Sequence, residues 1–276
     1  MSYVREPLSN LSVLNNFMFN KLSSDSETKE RFSKLLVKGL IGIELDEIVT
    51  HTEQMIFPDD PDKKGVRLDL QIDSLSNKGV IKETYDIEPH TDKRVDYPKY
   101  SRYRQALIDK DSLPSGSNNY DLLPGLYIIN ITNYDPFGYG YMVYSIKNQC
   151  IEVPELCYND DVTIYYFNTR GELGGTDSLK GFLTYLEKST DDNVVDDVTK
   201  EIHEFVDIIK RKSGGEYMTL GDWVDNITKD MSETIERQKE VLDEKNLELS
   251  EKDLELARKD EYIKQLEEKL SLLSCE

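Results

Sequence analysis

Two neighbouring segments alternate apolar and polar residues with period two, which confines the middle of this chain to a β-hairpin. In GVRLDLQIDS (65–74), Val66, Leu68, Leu70 and Ile72 share one side, and Arg67, Asp69, Gln71 and Asp73 the other. In VIKETYDIEPH (80–90), Ile81, Tyr85 and Ile87 oppose Lys82, Thr84, Asp86, Glu88 and His90. The SLSNKG between them reads as a turn. Asp69 and Glu88, nineteen residues apart, then fall on matching polar faces of adjacent strands. Two inward carboxylates in that arrangement suit a hard divalent cation, which takes oxygen ligands. Pro89 has no N–H for a ladder, so the second strand should end there or lie at an edge.

The flanking segments alternate between helix and strand patterns. Residues 25–41 read as a helix capped by Asp25 or Ser26, with Phe32, Leu35, Leu36, Leu40 and Ile41 near one face and Gly39 and Gly42 at its end. IELDEIVTHTEQMIF (43–57) is strand-like, and a polar, Pro-rich loop follows it. YPKYSRYRQALIDK (97–110) reads as a helix, with Tyr100, Tyr103 and Leu107 at spacings of three and four. GLYIINITNYDPFG, YGYMVYSIKN and DVTIYYFNTRG supply three more strands, the first ending in a DPFG turn. DSLKGFLTYLEK and residues 192–212 are helical, the latter with Ile202, Phe205, Val206 and Ile209 as its stripe. The sum is an α/β (α+β) core with a mixed sheet, followed by helices.

The C-terminal region differs in kind. Ile235, Leu242, Leu249, Leu256, Ile263 and Leu270 recur every seven residues, and no Gly or Pro interrupts 222–276. That predicts a long coiled-coil-like helix and a homo-oligomer assembled through residues 229–276. No second apolar column accompanies the first, so a single solvated helix is the competing reading. The boundaries read as a core over 1–190, a helical extension over 191–228 and the long helix over 229–276.

Hydrophobic residues at 38% suffice for a core in 276 residues, and no run of eighteen apolar residues is present to span a membrane. The N-terminus MSYVREPLSN lacks an apolar signal segment, and Cys150, Cys157 and Cys275 are odd in number. Reduced thiols in a cytoplasmic protein are therefore expected, and the acceptor patterns at Asn10, Asn130 and Asn226 carry no glycosylation signal. No CxxC is present and His51, His90 and His203 are scattered, which argues against zinc. GxxxxGK[ST], GxSxG and HExxH are absent as well. The net charge of −20 opposes tight nonspecific binding to a polyanion. The tail does not explain it: residues 229–276 hold 9 Lys or Arg and 15 Asp or Glu (−6), leaving 25 and 39 (−14) for the rest.

The order LSVLNNFMFNKL, helix, GVRLDL, YDIEP, YSRYRQALID, LPGLYIINITNYDPFGYG and a strand ending near KNQC resembles the PD-(D/E)XK nuclease family transposases, also called recombination-promoting nucleases. The resemblance runs from about Leu11 to Tyr217. It implies a restriction-endonuclease-like core, a mixed sheet flanked by helices. It also implies Mg²⁺ (or Mn²⁺)-dependent cleavage of DNA, linked to transposition or recombination. By that likeness Asp69 and Glu88 would be the metal ligands and catalytic pair, joined by a backbone carbonyl near Pro89. His90 stands where the family carries Gln or Lys, and Asn16 where it tends to Asp. Arg102 and Tyr103 match the family's helix and would hold substrate phosphate.

The same residues have plainer readings. Asp69 would be solvated on an exposed strand face, and Glu88 would pair with Lys82, Arg67 or Arg94. Asp86 would be an outer neighbour of the site, and His90 a solvated strand end. Tyr103 would sit in the core and Arg102 in a surface ion pair.

Overall fold

In a computed structural model, which describes residues 10–56, 66–93, 95–113 and 116–212 together with Lys252 and Lys259, the first helix begins within the LSVLNNFMFNKL segment and runs on past it. This α1 (Asn16–Ser24) is capped by Asn15, whose side-chain oxygen accepts from the Phe17 N–H at 3.0 Å. Helix α2 (Lys29–Ile41) follows and stops at Gly42, where a φ of 73° favours a residue without Cβ. The N-cap is Thr28 rather than Asp25 or Ser26.

Strands β1 (Ile48–Ile56), β2 (Val66–Leu75) and β3 (Ile81–His90) form an antiparallel meander. Helix α3 (Tyr97–Ser112) then carries the chain across to β4 (Gly125–Thr132), which pairs parallel with β3. A parallel pair requires such a crossover. After β5 (Val143–Ile146), β6 (Val162–Asn168) returns parallel to β4. Helices α4 (Asp177–Glu187) and α5 (Asp197–Lys212) follow. The result is a six-stranded mixed sheet in the order β1-β2-β3-β4-β6-β5, flanked by helices. All of these elements lie in one compact unit, Glu6–Tyr217. Met1–Arg5 and Met218–Glu276 form the other unit, so the expected coiled-coil seam lies outside the described residues, apart from Lys252 and Lys259, both helical.

Each face of the sheet buries a different core. Leu70, Ile72, Tyr85, Ile87, Ile129 and Ile131 pack against α1, α2, α4 and α5. Each such side chain contributes roughly 1.5–3 kcal/mol through burial. Close approach of α2 to α4 depends on Gly39, where a Cβ would lie 2.4 Å from the Phe182 ring. Helix α3 covers the other face, with Leu107 and Ile108 against Leu126 and Ile128. Leu68 joins this second cluster, so the apolar side chains of β2 do not all serve one core.

Two strand expectations change. β3 is an interior strand that runs one residue past Pro89, and Pro89 still pairs with Ile131 of β4. The strand tolerates it because the β2 ladder has already stopped at Leu70↔Ile87, leaving no partner on that side to require its N–H. The polar face of β3 is also not solvated. Thr84, Asp86 and Glu88 are buried, and α3 reaches the last two through Arg104 and Tyr100.

Candidate functional site

The site grows from the point where β2 and β3 part. Beyond the Leu70↔Ile87 pair, the Asp69 N–H donates to Glu88 Oε1, at 2.9 Å. The Glu88 carboxylate thus bends back and bridges the parting strands. Its other oxygen accepts from the Tyr100 hydroxyl at 3.3 Å, so α3 steadies it from above. Glu88 is buried and Asp69 half-buried. Lys82 is exposed at the far end of β3, and the side chains of Arg67 and Arg94 lie outside the described residues.

One residue pair back along β3, Asp86 meets Arg104 at zero exposure for both side chains. The Arg104 Nε–H donates to Asp86 Oδ2 at 2.7 Å, and an Nη2–H reaches the same oxygen. Its Nη1–H donates to Asn130 Oδ1 at 3.0 Å, and the guanidinium lies 5.2 Å from the centre of the Tyr100 ring. Asn130 passes the network on, donating to the Tyr165 carbonyl at 3.2 Å and to Ser101 Oγ at 3.4 Å. Ser101 Oγ in turn bonds the Tyr166 hydroxyl at 3.0 Å.

Burial pushes the Asp86 carboxyl up to about 7; Arg104 pulls it down and the negative Glu88 pushes it up. Arg104 is held above its ordinary value by Asp86 and Glu88, against its own burial, and so remains charged. Asp86 Oδ1 is buried with no hydrogen-bond partner. An orphaned carboxylate oxygen beside a second carboxylate is a place where a cation would find a donor.

His90 ends β3 half-buried, its ring centre 5.2 Å from that of Tyr97 and 6.0 Å from that of Tyr100, edge-on to both. It lines a cavity of about 560 Å³ with Asn16, Thr91, Asp92, Lys93 and Asp96. The structure therefore brings together two sequence positions, Asn16 and His90, that lie far apart in the chain. Arg102 and Tyr103 do not join them: both are exposed on the outer side of α3. The residues of that helix that reach the carboxylates are Tyr100 and Arg104, one turn apart. An i, i+4 pair on the helix was the available signal, but hydrophobic periodicity favoured Tyr103 and passed over a buried arginine.

Among the described residues no group of three or more His, Cys, Asp or Glu is arranged to hold a metal ion. The donors present fit a hydrated ion held by one or two carboxylates, as Mg²⁺ is, rather than an ion enclosed by protein ligands. No described helix is long and apolar enough to cross a membrane. Comparison of the chain with protein-family models, with curated proteins and with solved structures finds no match in any of the three.

Proposed function

We propose that this chain is a PD-(D/E)XK-type nuclease of the family transposase kind, hydrolysing phosphodiester bonds of DNA in transposition or recombination. The observation that carries the reading is the bridge from Glu88 Oε1 to the Asp69 N–H, where two carboxylate-bearing strands part beneath a helix. A mixed sheet flanked by helices is the architecture expected of a restriction-endonuclease-like core. Asp69 and Glu88 would hold Mg²⁺ or Mn²⁺ with retained waters. When bound, the ion would supply a water of lowered pKa and offset charge developing on the phosphate. The chain's own residues do the rest. Tyr100 and the Asp69 amide fix Glu88. His90 borders the cavity at the end of β3, where an imidazole donates a hydrogen bond to a phosphate oxygen.

A second reading is a nuclease fold that has lost catalysis and serves as an oligomeric module through residues 229–276. It is favoured by the net charge of −20 and by His90, whose ring packs edge-on against Tyr97 and Tyr100. Incubation of the full chain with supercoiled plasmid and Mg²⁺ or Mn²⁺, beside Asp69→Ala and Glu88→Ala, separates the two. Cleavage by the wild type alone supports the nuclease. Cleavage that survives both substitutions removes the site assignment, and neither cleavage nor Mn²⁺ binding by the wild type supports the module. Sedimentation of the full chain against a truncation after residue 228 tests assembly, and equal monomeric masses reject the helical seam.

A further inference from the structure

The face of the sheet that carries Asp86 and Glu88 continues across the ladder onto β2 and β1. There a second polar cluster forms around Asp73, which is 4% exposed. Thr84 Oγ1 donates to Asp73 Oδ1 at 2.8 Å, and Gln71 Nε2 donates to it at 3.1 Å. His51 Nε2 lies 3.1 Å from Asp73 Oδ2, and its side chain is 40% exposed. Three donors from three strands therefore converge on one buried carboxylate, with Thr84 buried, Gln71 half-buried and the imidazole 40% exposed. With Nε2 engaged by Asp73, Nδ1 is the nitrogen presented outward. This is the geometry of a proton acceptor oriented by a carboxylate.

Register places this imidazole beside the candidate site. His51 pairs with Gln71, and Gln71 with Asp86. Asp69 lies two residues from Gln71 along β2, diagonal to His51. Diagonal neighbours have separations of roughly 7–8 Å, a span that an imidazole and one water molecule fill. The ring of His90, by contrast, is packed between two tyrosines. The hydrogen bond to Asp73 and its charge raise the imidazole above its ordinary value against the opposing effect of burial.

We propose that His51, held by Asp73, is the proton acceptor of the site around Asp69 and Glu88. The proposal rests on the nuclease reading. The oxygen of the attacking water forms the new P–O bond, and its proton passes to His51 Nδ1. The bridging P–O bond breaks with its electron pair going to the sugar oxygen, which takes a proton from solvent. His51 then returns its proton to solvent. Gln71 and Thr84 are positioning residues, because they act through Asp73.

The test is plasmid cleavage by the full chain with Mg²⁺ from about pH 5 to about pH 9, a window that brackets imidazole titration. Wild type, His51→Ala, Asp73→Asn and Asp69→Ala are compared, with Mn²⁺ binding followed by calorimetry. His51→Ala is expected to lose about 10²–10⁴-fold in rate, together with the acid limb of the profile. It should keep Mn²⁺ binding and recover rate when imidazole is added. Asp73→Asn should move the acid limb to lower pH. A His51→Ala variant with wild-type rate and profile, beside an inactive Asp69→Ala, overturns the role of His51 and leaves the nuclease reading standing. A rate loss with an unchanged profile and no rescue by imidazole overturns it as well, leaving a structural tie between β1 and β2. A wild type that cleaves at no pH overturns both proposals together.

Discussion

Replacing Arg104 by Met isolates what the buried guanidinium does. Met keeps an unbranched stem and removes the charge. The change deletes the bonds to Asp86 Oδ2 at 2.7 Å and Asn130 Oδ1 at 3.0 Å, and the second contact from Nη2. Asp86 is left fully buried beside Glu88, with Oδ1 already lacking a partner. Breaking a buried pair from one side costs about 3–5 kcal/mol. That is a large share of the roughly 5–15 kcal/mol that holds a domain folded. Adding Asp86→Asn removes the stranded charge, so the double variant should fall short of the summed single losses by roughly 0.5–3 kcal/mol. The loss should also depend on pH. Burial already pushes the Asp86 carboxyl up, and Arg104 opposes that push. Without Arg104 the folded-state value rises further above the unfolded one, so folding takes up a proton. The deficit is then smallest at low pH and grows as pH rises through the folded value, larger near pH ~8 than near pH ~5. Urea unfolding of the full chain, followed by far-ultraviolet circular dichroism at both pH values, measures it. A loss below about 1 kcal/mol, or a double variant that loses the full sum of the two single losses, would refute this account of the pair.

The His51–Asp73 pair makes a smaller contribution with its own window: Asp73 is lowered by its hydrogen bonds from His51, Thr84 and Gln71 despite burial, and His51 is raised. The contribution of Asp73 is lost as pH falls through its lowered value, and that of His51 as pH rises through its raised one. His51→Ala should therefore lower the melting temperature more near pH ~6 than near pH ~9, by an amount within about 1 kcal/mol because the ring is partly exposed. An equal drop at both pH values would contradict the assigned charge states. At Gly171 a Cβ would lie 2.5 Å from the Met142 backbone and the Tyr141 carbonyl, and at Gly39 it would lie 2.4 Å from the Phe182 ring. Overpacking of about 1–3 kcal/mol should outweigh the gain of roughly 1 kcal/mol that Ala brings to a helix at Gly39. Gly171→Ala should cost more, because backbone yields less than a ring. Calorimetric melting ranks the two, and a Gly39→Ala protein melting at or above wild type would show that α2 and α4 have room to spare.

Much of the hairpin was legible because strand geometry is local. Successive side chains on a strand point to opposite faces whatever surrounds them, so Tyr85 and Ile87 separated from Thr84, Asp86 and Glu88 before any fold was known. Helix α1 is short, and its signal in the sequence is little more than the Asn15 N-cap. On α3 the periodicity of Tyr100, Tyr103 and Leu107 pointed to an apolar stripe, yet the inward residues are Tyr97, Ser101, Arg104, Leu107 and Ile108. That stripe is polar in its middle because it faces carboxylates, and a rule that looks for apolar residues inside reads such a helix in the wrong phase.

The sequence by itself determined the strands and their alternation, the helical character of residues 97–110, and the opposition of Asp69 to Glu88 across a turn. Each of these follows from residues within a few positions of one another. Only the tertiary structure decided that the polar face of β3 is buried, that Arg104 rather than Arg102 meets it, and that Asn16 and His90 border one cavity. It also decided that His51, from a strand some twenty residues earlier, is oriented by Asp73. The physical reason is that a buried charge is set by what lies above it. For Asp86 that is a crossover helix whose placement depends on the pairing of β3 with β4, not on any residue near Asp86 in the chain.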